Sequence, residues 1–265
     1  MGTTRAVVLA RGLGTRMREP DTGARLSDRQ EQAADAGIKM MIPVHGRPFL
    51  DYVLSALADA GLTEVALVVA PDHDVIRAHY DAHATVRVTL TYVVQPAPLG
   101  TANAVLAVEE WSNGGPFLTL NADNLYPVAA LRALALLDEP GLPGFEPEDL
   151  IRTSNISEER IRAFALVEVD VEGYLTGIIE KPAGLPSHPL VSMNLWRFDS
   201  RIFAACRAVP RSERGEFELP EAVGLSARGG VRFKTIPARG PVLDLSRRAD
   251  TADIERRLTG VTPQP

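Results

Sequence analysis

Residues 5–17 read RAVVLARGLGTRM, a short apolar run that ends in a glycine-rich turn. The apolar run, residues 5–10, predicts a buried β-strand, and Gly12 and Gly14 predict a tight loop directly after it. Glycines at such a position let backbone N–H groups approach phosphate oxygens, and Arg16 can bind those oxygens through two N–H groups. Met17 stands where the dinucleotide fingerprint requires a third glycine, and no Gly-Lys-Ser/Thr follows. By itself the stretch fits a phosphate-binding site and a plain strand-to-helix turn equally well.

Strand and helix patterns alternate through the rest of the chain. The first half predicts a helix at 49–60, a strand at 65–69, a helix at 73–82, a strand at 86–94, a helix at 101–110, a strand at 117–120 and a helix at 128–137. The second half predicts a hairpin of 163–171 and 175–180, a strand at 190–198, helices at 201–208 and 219–227, a strand at 231–236 and a helix at 251–258. This order predicts an α/β fold, a three-layer α/β/α sandwich around a mixed, mostly parallel, Rossmann-like sheet.

The composition does not divide the chain, because neither a Ser/Gly-rich linker nor a repeat is visible. We therefore expect a single domain over residues 1–265, with an N-terminal part of about 1–137 and a C-terminal part of about 160–265. Two segments, 17–37 and 139–160, are longer than ordinary connections and are interpreted as loops. The second of them is rich in proline and glycine, which is typical of a mobile surface insertion.

Charge and cysteine content exclude several classes of protein. The net charge of −6 opposes general nucleic-acid binding, although residues 1–40 carry seven Arg or Lys against five Asp or Glu, which favours an anion there. No apolar stretch is long enough to span a membrane, and the apolar run before Arg11 is too short for a secretory signal. A single cysteine, Cys206, excludes an internal disulfide and a cysteine-based zinc site. We therefore expect a soluble, cytoplasmic protein with no membrane partner.

Lysine is rare in this chain. Of the 28 basic residues only three are lysines, namely Lys39, Lys181 and Lys234. Lysine provides a compact point charge where arginine provides a planar fork, so a lysine in an arginine-rich chain is a stronger candidate for a specific role. Lys234 lies in a predicted late strand and is expected to be structural.

The glycine-rich turn and a set of later motifs together resemble a known family. The turn is followed by Lys39 and by MIPVHGRPFL at 41–50, then by QPAPLGTA at 95–102, LTLNADN at 118–124, EKP at 180–182, VSMNL at 191–195 and RGEFE at 214–218. In this order the motifs are similar to those of the sugar-1-phosphate nucleotidylyltransferases, the family of glucose-1-phosphate thymidylyl- and uridylyltransferases and mannose-1-phosphate guanylyltransferases. The resemblance implies a GT-A-like nucleotidyltransferase fold. It also implies Mg²⁺-dependent transfer of a nucleotidyl group from a nucleoside triphosphate to a sugar 1-phosphate, giving an NDP-sugar and pyrophosphate.

The resemblance also implies roles for individual residues, with nucleotide bound by the N-terminal part and sugar phosphate by the C-terminal part. The implied nucleotide-binding residues are Ala10, Gly12, Leu13, Gly14, Thr15, Arg16, Gln95, Gly100 and Thr101. The implied sugar-phosphate-binding residues are Asn124, Glu180, Lys181 and Asn194. The implied catalytic cations are Arg16, Lys39 and Lys181, and the implied metal ligands are Asp123 and Asp244.

Three features depart from the family pattern. Arg11 replaces a small residue, the segment 17–37 is longer than usual, and Leu-Ser-Arg-Arg follows Asp244 where the family has Asp-x-Gly or Asp-x-Asp-Thr. We expect 17–37 to be a lid that orders when nucleotide binds. Two other functions stay open, a non-catalytic nucleotide-sugar sensor and a GT-A glycosyltransferase, although the latter normally shows Asp-x-Asp where residues 121–123 read Asn-Ala-Asp. Homo-oligomerisation also stays open, and the residues specify neither the base nor the sugar.

Overall fold

The computed structural model describes residues 2–21, 23–179 and 189–265. Most of its strands form one mixed sheet, and two pairs of short strands, β2 with β3 and β7 with β14, lie outside it. The strands are β1 Arg5–Leu9, β2 Pro43–Val44, β3 Arg47–Pro48, β4 Glu64–Val69, β5 Thr89–Val94, β6 Phe117–Asn121, β7 Asn124–Leu125, β8 Gly141–Phe145, β9 Leu166–Val169, β10 Leu175–Ile179, β11 Leu190–Val191, β12 Trp196–Phe198, β13 Lys234–Ala238 and β14 Leu243–Asp244.

The helices connect these strands and cover both faces of the sheet. They are α1 Thr15–Arg18, α2 Asp28–Ala36, α3 Phe49–Asp59, α4 Asp74–Ala82, α5 Thr101–Leu106, α6 Glu109–Ser112, α7 Val128–Leu136, α8 Pro147–Thr153, α9 Glu158–Arg162, α10 Ile202–Ala208, α11 Leu219–Arg228 and α12 Asp250–Arg257. A short 3₁₀ turn, Lys39–Met41, lies between α2 and β2.

Strand β1 lies in the interior of the sheet, paired in parallel with β4 on one side and β6 on the other. Its side chains alternate between two cores, as expected for a strand covered on both faces. Val8 belongs to the core that contains residues of α3 and α7, and Val7 belongs to the core that contains residues of α5, α10 and α11. The three-layer arrangement is therefore present, and the predicted α/β fold with a mixed sheet is confirmed.

The interpretation of 139–160 as a mobile surface insertion is wrong. This segment contains β8, all five residues of which are buried, and β8 pairs in parallel with β13 along its whole length. Glycine is required there for close packing, because a Cβ on Gly141 would lie 2.4 Å from the carbonyl oxygen of Lys234. Pro143, which has no N–H to donate, lies between the two residues of β8 that pair with β11 and β12. In this segment glycine and proline are therefore residues of a buried interior strand.

The interpretation of 17–37 as a loop is also wrong for much of its length. Helix α1 extends to Arg18, and α2 starts with a capping box in which Ser27 and Gln30 bond reciprocally. Other boundaries moved less. The predicted strand 190–198 is interrupted between β11 and β12, where Asn194 has a left-handed φ of 56°. The predicted helix 101–110 is divided into α5 and the start of α6.

The part of the chain that the structure describes contains no candidate membrane-spanning helix. None of the helices there combines the length and the apolar character that a bilayer crossing requires.

The environment of Cys206 predicts an unreactive thiol. The residue is 4% exposed on α10, and burial raises the pKa of its thiol to about 12. Because the thiolate is the nucleophile, we expect no reaction with Ellman's reagent at pH 8 in the native protein and one equivalent after unfolding in guanidinium chloride. Rapid labelling of the native protein would contradict the packing of α10.

Candidate active site

The carboxyl ends of β1 and β6 open into a cleft, the position where open α/β sheets bind ligands. Three adjoining cavities of about 240, 180 and 130 Å³ make up the cleft, and Asn121 at the end of β6 lines all three. We call the first the base cavity, after the base that the family resemblance assigns to Gln95 and Gly100, and the others the middle cavity and the carboxylate cavity. The base cavity is lined by Gln95, Gly100, Lys39 and Asp123 among others, and the carboxylate cavity by Arg16, Asn124, Asn194, Asp123 and Asp244 among others.

The glycine-rich loop is held from behind by the end of α2. Gly14 has a left-handed φ of 62°, and a Cβ there would lie 2.1 Å from the carbonyl oxygen of Gly37. Gly37 in turn leaves room for the Arg18 guanidinium, whose Nη2 donates to the carbonyl of Ala36 at 2.8 Å. Gly12 has no atom within 4 Å of its Cβ position and is exposed. The segment 17–37 therefore braces the loop, while the face of the loop at Gly12 stays open to a ligand; its role as a lid stays a prediction.

An ion pair joins the glycine-loop side of the cleft to its acidic side. Lys39, two residues after Gly37, donates from Nζ to Oδ2 of Asp123, and the two side chains are 14% and 18% exposed. An ammonium group has three N–H donors, so this bond leaves two for other acceptors. The contact brings together a predicted catalytic cation and a predicted metal ligand, whose roles stay predictions.

Asp244 lies in a very different environment from Asp123. Its side chain is 9% exposed, its Oδ2 accepts a 2.6 Å bond from Arg160, and its Oδ1 accepts a 2.6 Å bond from Ser246. Burial, followed by the charge of Asp123, raises the pKa of the Asp244 carboxyl to about 6. The two carboxylates therefore lie close enough to repel each other, and Arg160 offsets part of that repulsion.

Beneath both carboxylates lies Tyr126. It is 3% exposed, and its hydroxyl donates to the carbonyl oxygen of Met193 at 2.6 Å. Burial, with the charges of Asp123 and Asp244 adding to it, holds the pKa of this phenol well above its ordinary value. The neutral hydroxyl thus fixes the turn after Asp123 against the segment that carries Asn194.

The unusual residues after Asp244 connect the acidic side to the glycine-rich loop. Arg248 donates from Nε to the carbonyl oxygens of Met17 at 3.0 Å and Glu19 at 3.1 Å, and its Nη2 forms an ion pair with Asp35. Asp250 accepts from the backbone N–H of Ser246 at 2.9 Å and pairs with Arg160 at 3.1 Å. The departure from the family pattern therefore has a structural role.

The base cavity is formed by a loop that is bound to a later segment. Gly100 has a φ of 101°, and a Cβ there would lie 2.5 Å from the carbonyl oxygen of Phe217. The backbone N–H of Phe217 donates to Leu99 at 2.7 Å, and Leu219 N donates to the hydroxyl oxygen of Thr101 at 2.9 Å. The motif at 214–218 thus supports the loop at 95–101, which we call the base loop, and Glu216 lines the cavity.

The structure brings most of the predicted site residues to this cleft. Ala10, Gly14 and Thr15 support the loop rather than line the cavities: Ala10 is fully buried, Gly14 contacts Gly37, and Thr15 begins α1. Glu180 and Lys181 lie outside the described residues. The predicted residues that line the three cavities are Gly12, Leu13, Arg16, Lys39, Gln95, Gly100, Thr101, Asp123, Asn124, Asn194 and Asp244.

Three important residues had no assigned role in the sequence prediction. Asn121 precedes Asp123 by two positions in a strand-end motif, and that position was a usable signal. Arg160 and Arg248 offer none, because their partners Asp244 and Met17 are 84 and 231 positions away in the chain. Pairs of that kind appear only once the fold is known.

The chemistry of the cleft suits a polyphosphate and a hard cation. Arg16 is exposed, lines the carboxylate cavity and makes no hydrogen bond or ion pair within the described part of the chain. Asp123 and Asp244 provide hard oxygen donors, which Mg²⁺ prefers when phosphate oxygens and water complete its shell. No group of three or more His, Cys, Asp or Glu side chains positioned for a metal exists in residues 2–21, 23–179 and 189–265. The donor set therefore fits an ion that is shared with a bound phosphate.

An open α/β sheet with a braced glycine loop, a lysine and two carboxylates at its carboxyl edge defines a nucleotide-binding enzyme class. Residues 5–231 match the nucleotidyl transferase family. The chain belongs to this family, and the predicted membership among the sugar-1-phosphate nucleotidylyltransferases is confirmed.

Individual relatives agree with this assignment. The UTP–glucose-1-phosphate uridylyltransferase AglF of Haloferax volcanii is 29% identical over 259 residues, which cover 98% of each chain. A glucose-1-phosphate thymidylyltransferase of Streptomyces antibioticus is 29% identical over 96% of this chain and 66% of its own length. A UDP-glucose pyrophosphorylase solved with UDP-glucose has the same fold, with a TM-score of 0.75 at 16% identity over 96% of this chain and 98% of that one.

The brace predicts a sharp difference between two neighbouring glycines. Gly14→Ala should lower the free energy of unfolding by at least about 2 kcal/mol, because its Cβ would meet the Gly37 carbonyl at a left-handed φ. Gly12→Ala should change it by less than about 0.5 kcal/mol, because the position is open. Urea unfolding of the two variants measures both values, and equal stabilities would show that the contact does not constrain the loop.

Proposed function

We propose that this protein transfers a nucleotidyl group from a nucleoside triphosphate to a sugar 1-phosphate in a Mg²⁺-dependent reaction. The observation that carries the proposal is the contact of Lys39 with Asp123 at the point where the base cavity and the carboxylate cavity meet. In a bound nucleotide the α-phosphate lies between the base and the acceptor. The junction of the two cavities, where this cation and this carboxylate meet, is therefore the position that we assign to the α-phosphate.

The reaction needs little covalent chemistry from the protein. An oxygen of the sugar 1-phosphate attacks the α-phosphorus in line, a new P–O bond forms, and the bond from the α-phosphorus to the bridging oxygen breaks with release of pyrophosphate. The nucleophile is already an anion, so no general base is required and positioning with charge neutralisation supplies the catalysis. Arg16 and Lys39 provide the positive charge, and the backbone at Gly12 and Leu13 holds the polyphosphate.

Asp123 and Asp244 would hold the magnesium ion. When bound, the ion neutralises phosphate charge and orients the phosphate oxygens. Among the described residues only Lys39 donates to the carboxylate of Asp123, whereas both carboxylate oxygens of Asp244 already accept hydrogen bonds, from Arg160 and Ser246. Asp123 is therefore the stronger ligand of the two.

The sugar phosphate would bind on the far side of Asn121. Asn124 and Asn194 line the carboxylate cavity there, and their amides can donate to phosphate and accept from sugar hydroxyls. Lys181 and Glu180, which lie outside the described residues, complete this side in the proposal. The names of the relatives make glucose 1-phosphate with UTP or dTTP the first pairs to test.

A non-catalytic nucleotide-sugar sensor is the second candidate. The observation that favours it is the ion pair between Asp244 and Arg160, because Arg160 neutralises a carboxylate that would otherwise be available to a metal ion. Such a protein would bind the nucleotide without releasing pyrophosphate.

Release of pyrophosphate from mixtures of nucleoside triphosphate, sugar 1-phosphate and Mg²⁺ tests the proposal. We expect Lys39→Ala and Asp123→Ala to lower turnover by about 100-fold or more, because each removes a charge at the reacting phosphate. Lys234→Ala is the matched control, since its Nζ donates to the Glu172 carbonyl away from the cleft. Binding without turnover in the unaltered protein would favour the sensor, and near-normal turnover of Lys39→Ala would exclude the assigned role.

The unequal environments of the two carboxylates predict unequal contributions to metal affinity. Electron paramagnetic resonance titration with Mn²⁺ should show affinity about tenfold or more weaker in Asp123→Asn, and a smaller loss in Asp244→Asn. Asp59→Asn, which alters a surface pair with Arg87, serves as the control. A larger loss in Asp244→Asn than in Asp123→Asn would reverse the assignment of the stronger ligand.

A further inference from the structure

Arg11 is bound to the loop that forms the base cavity. Its Nε donates to the carbonyl oxygen of Gln95 at 2.8 Å, and its Nη2 donates to the carbonyl oxygen of Pro96 at 3.3 Å. Its position directly before Gly12 would favour a role as an extra cation beside the phosphates. The structure instead places it across the main chain of the base loop, 84 positions away in the chain.

The guanidinium group is oriented in this position and still has a donor to offer. Burial lowers the pKa of the Arg11 guanidinium, and the negative charge of Asp72 opposes that shift. Within the described residues, hydrogen bonds are recorded only for Nε and Nη2. Arg11 is one of the residues that line the base cavity, and the two N–H groups of its Nη1 have no acceptor among the described residues.

The neighbouring Gln95 has a fixed amide orientation. Its Nε2 donates to the carbonyl oxygen of Gly100 at 3.0 Å and to Oδ1 of Asn103 at 2.8 Å, which uses both amide hydrogens. The residue is 3% exposed and lines the same cavity, and no described residue donates to its Oε1. The same cavity is therefore lined by an acceptor group of Gln95 and by the charged donor Arg11.

We propose that Arg11 determines base specificity in the proposed nucleotidyl transfer, by fixing the main chain of Gln95 and donating to a carbonyl oxygen of the base. The matching edge has an N–H group beside a carbonyl oxygen, as in uracil, thymine and guanine. Adenine has no carbonyl, and cytosine has a ring nitrogen without hydrogen beside its amino group. A charged donor bonds most strongly to the carbonyl, so the arginine favours the first group of bases. The inference rests on the proposed function, because it assigns the base of the same reaction.

The test compares kcat/KM for UTP, dTTP, GTP, ATP and CTP in the unaltered protein, in Arg11→Ala and in Arg11→Lys. The ratio between two nucleotides is independent of the fraction of folded enzyme, so a partly unfolded variant still gives a valid result. Arg132→Ala is the matched control, because this arginine also donates to a backbone carbonyl, that of Asp59 at 2.6 Å, at an exposed position.

We expect the unaltered protein to prefer one of UTP, dTTP and GTP, and we expect Arg11→Ala to reduce that preference over ATP by about 10- to 100-fold, mainly through KM. Arg11→Lys should recover only part of the preference, because a lysine cannot bind two carbonyls and a base at once in the same plane. A preference for ATP or CTP in the unaltered protein, or unchanged ratios in Arg11→Ala, would overturn the inference. Absence of pyrophosphate release with every nucleotide would overturn the proposed function instead, so the two failures are distinguishable.

Discussion

The contact of Gly14 with the backbone of Gly37 is the constraint on which the site depends. Gly14 belongs to the loop after the central strand β1, and Gly37 ends the helix α2. A Cβ on Gly14 would lie 2.1 Å from the carbonyl oxygen of Gly37, so the loop packs against the helix end without room for a side chain at Gly14. Lys39 follows two residues later and reaches Asp123 from there. The position of the lysine therefore follows from a backbone contact rather than from its own side chain.

A second set of interactions ties the carboxyl-terminal part of the chain to the same loop. Arg248 bonds to the backbone at Met17 and Glu19, and Arg160 joins Asp244 to Asp250. The Arg160 side chain is 16% exposed and its partners Asp244 and Asp250 are 9% and 10% exposed, so these two ion pairs are screened less than surface pairs. These contacts link the acidic side of the cleft and the glycine-rich loop to the segment that leads into α12.

Much of the site could be predicted from sequence because its residues lie in short local motifs at strand ends. Gly12, Gln95 and Asp123 are of this kind, Lys39 lies in a short 3₁₀ turn, and all four line the base cavity. The prediction from local residue preferences was wrong at 139–160. Glycine and proline are typical of loops, but in this segment close packing between strands requires small residues and the sheet tolerates a missing N–H group. Pairings between distant charged residues, such as Arg160 with Asp244, could not be predicted from one sequence, since nothing in the local pattern identifies the partner.

The placement of β8 has a consequence for how the chain is made. Strands β1, β4, β5 and β6 are complete once Asn121 has been synthesised, so that parallel group can form early on the ribosome. Strand β8 emerges soon afterwards, but β13, its parallel partner, follows about ninety residues later. During that interval an apolar strand lacks its neighbour, and contacts of such long sequence separation form slowly. The edge of β8 that faces β13 therefore stays unpaired until residue 238 has been synthesised.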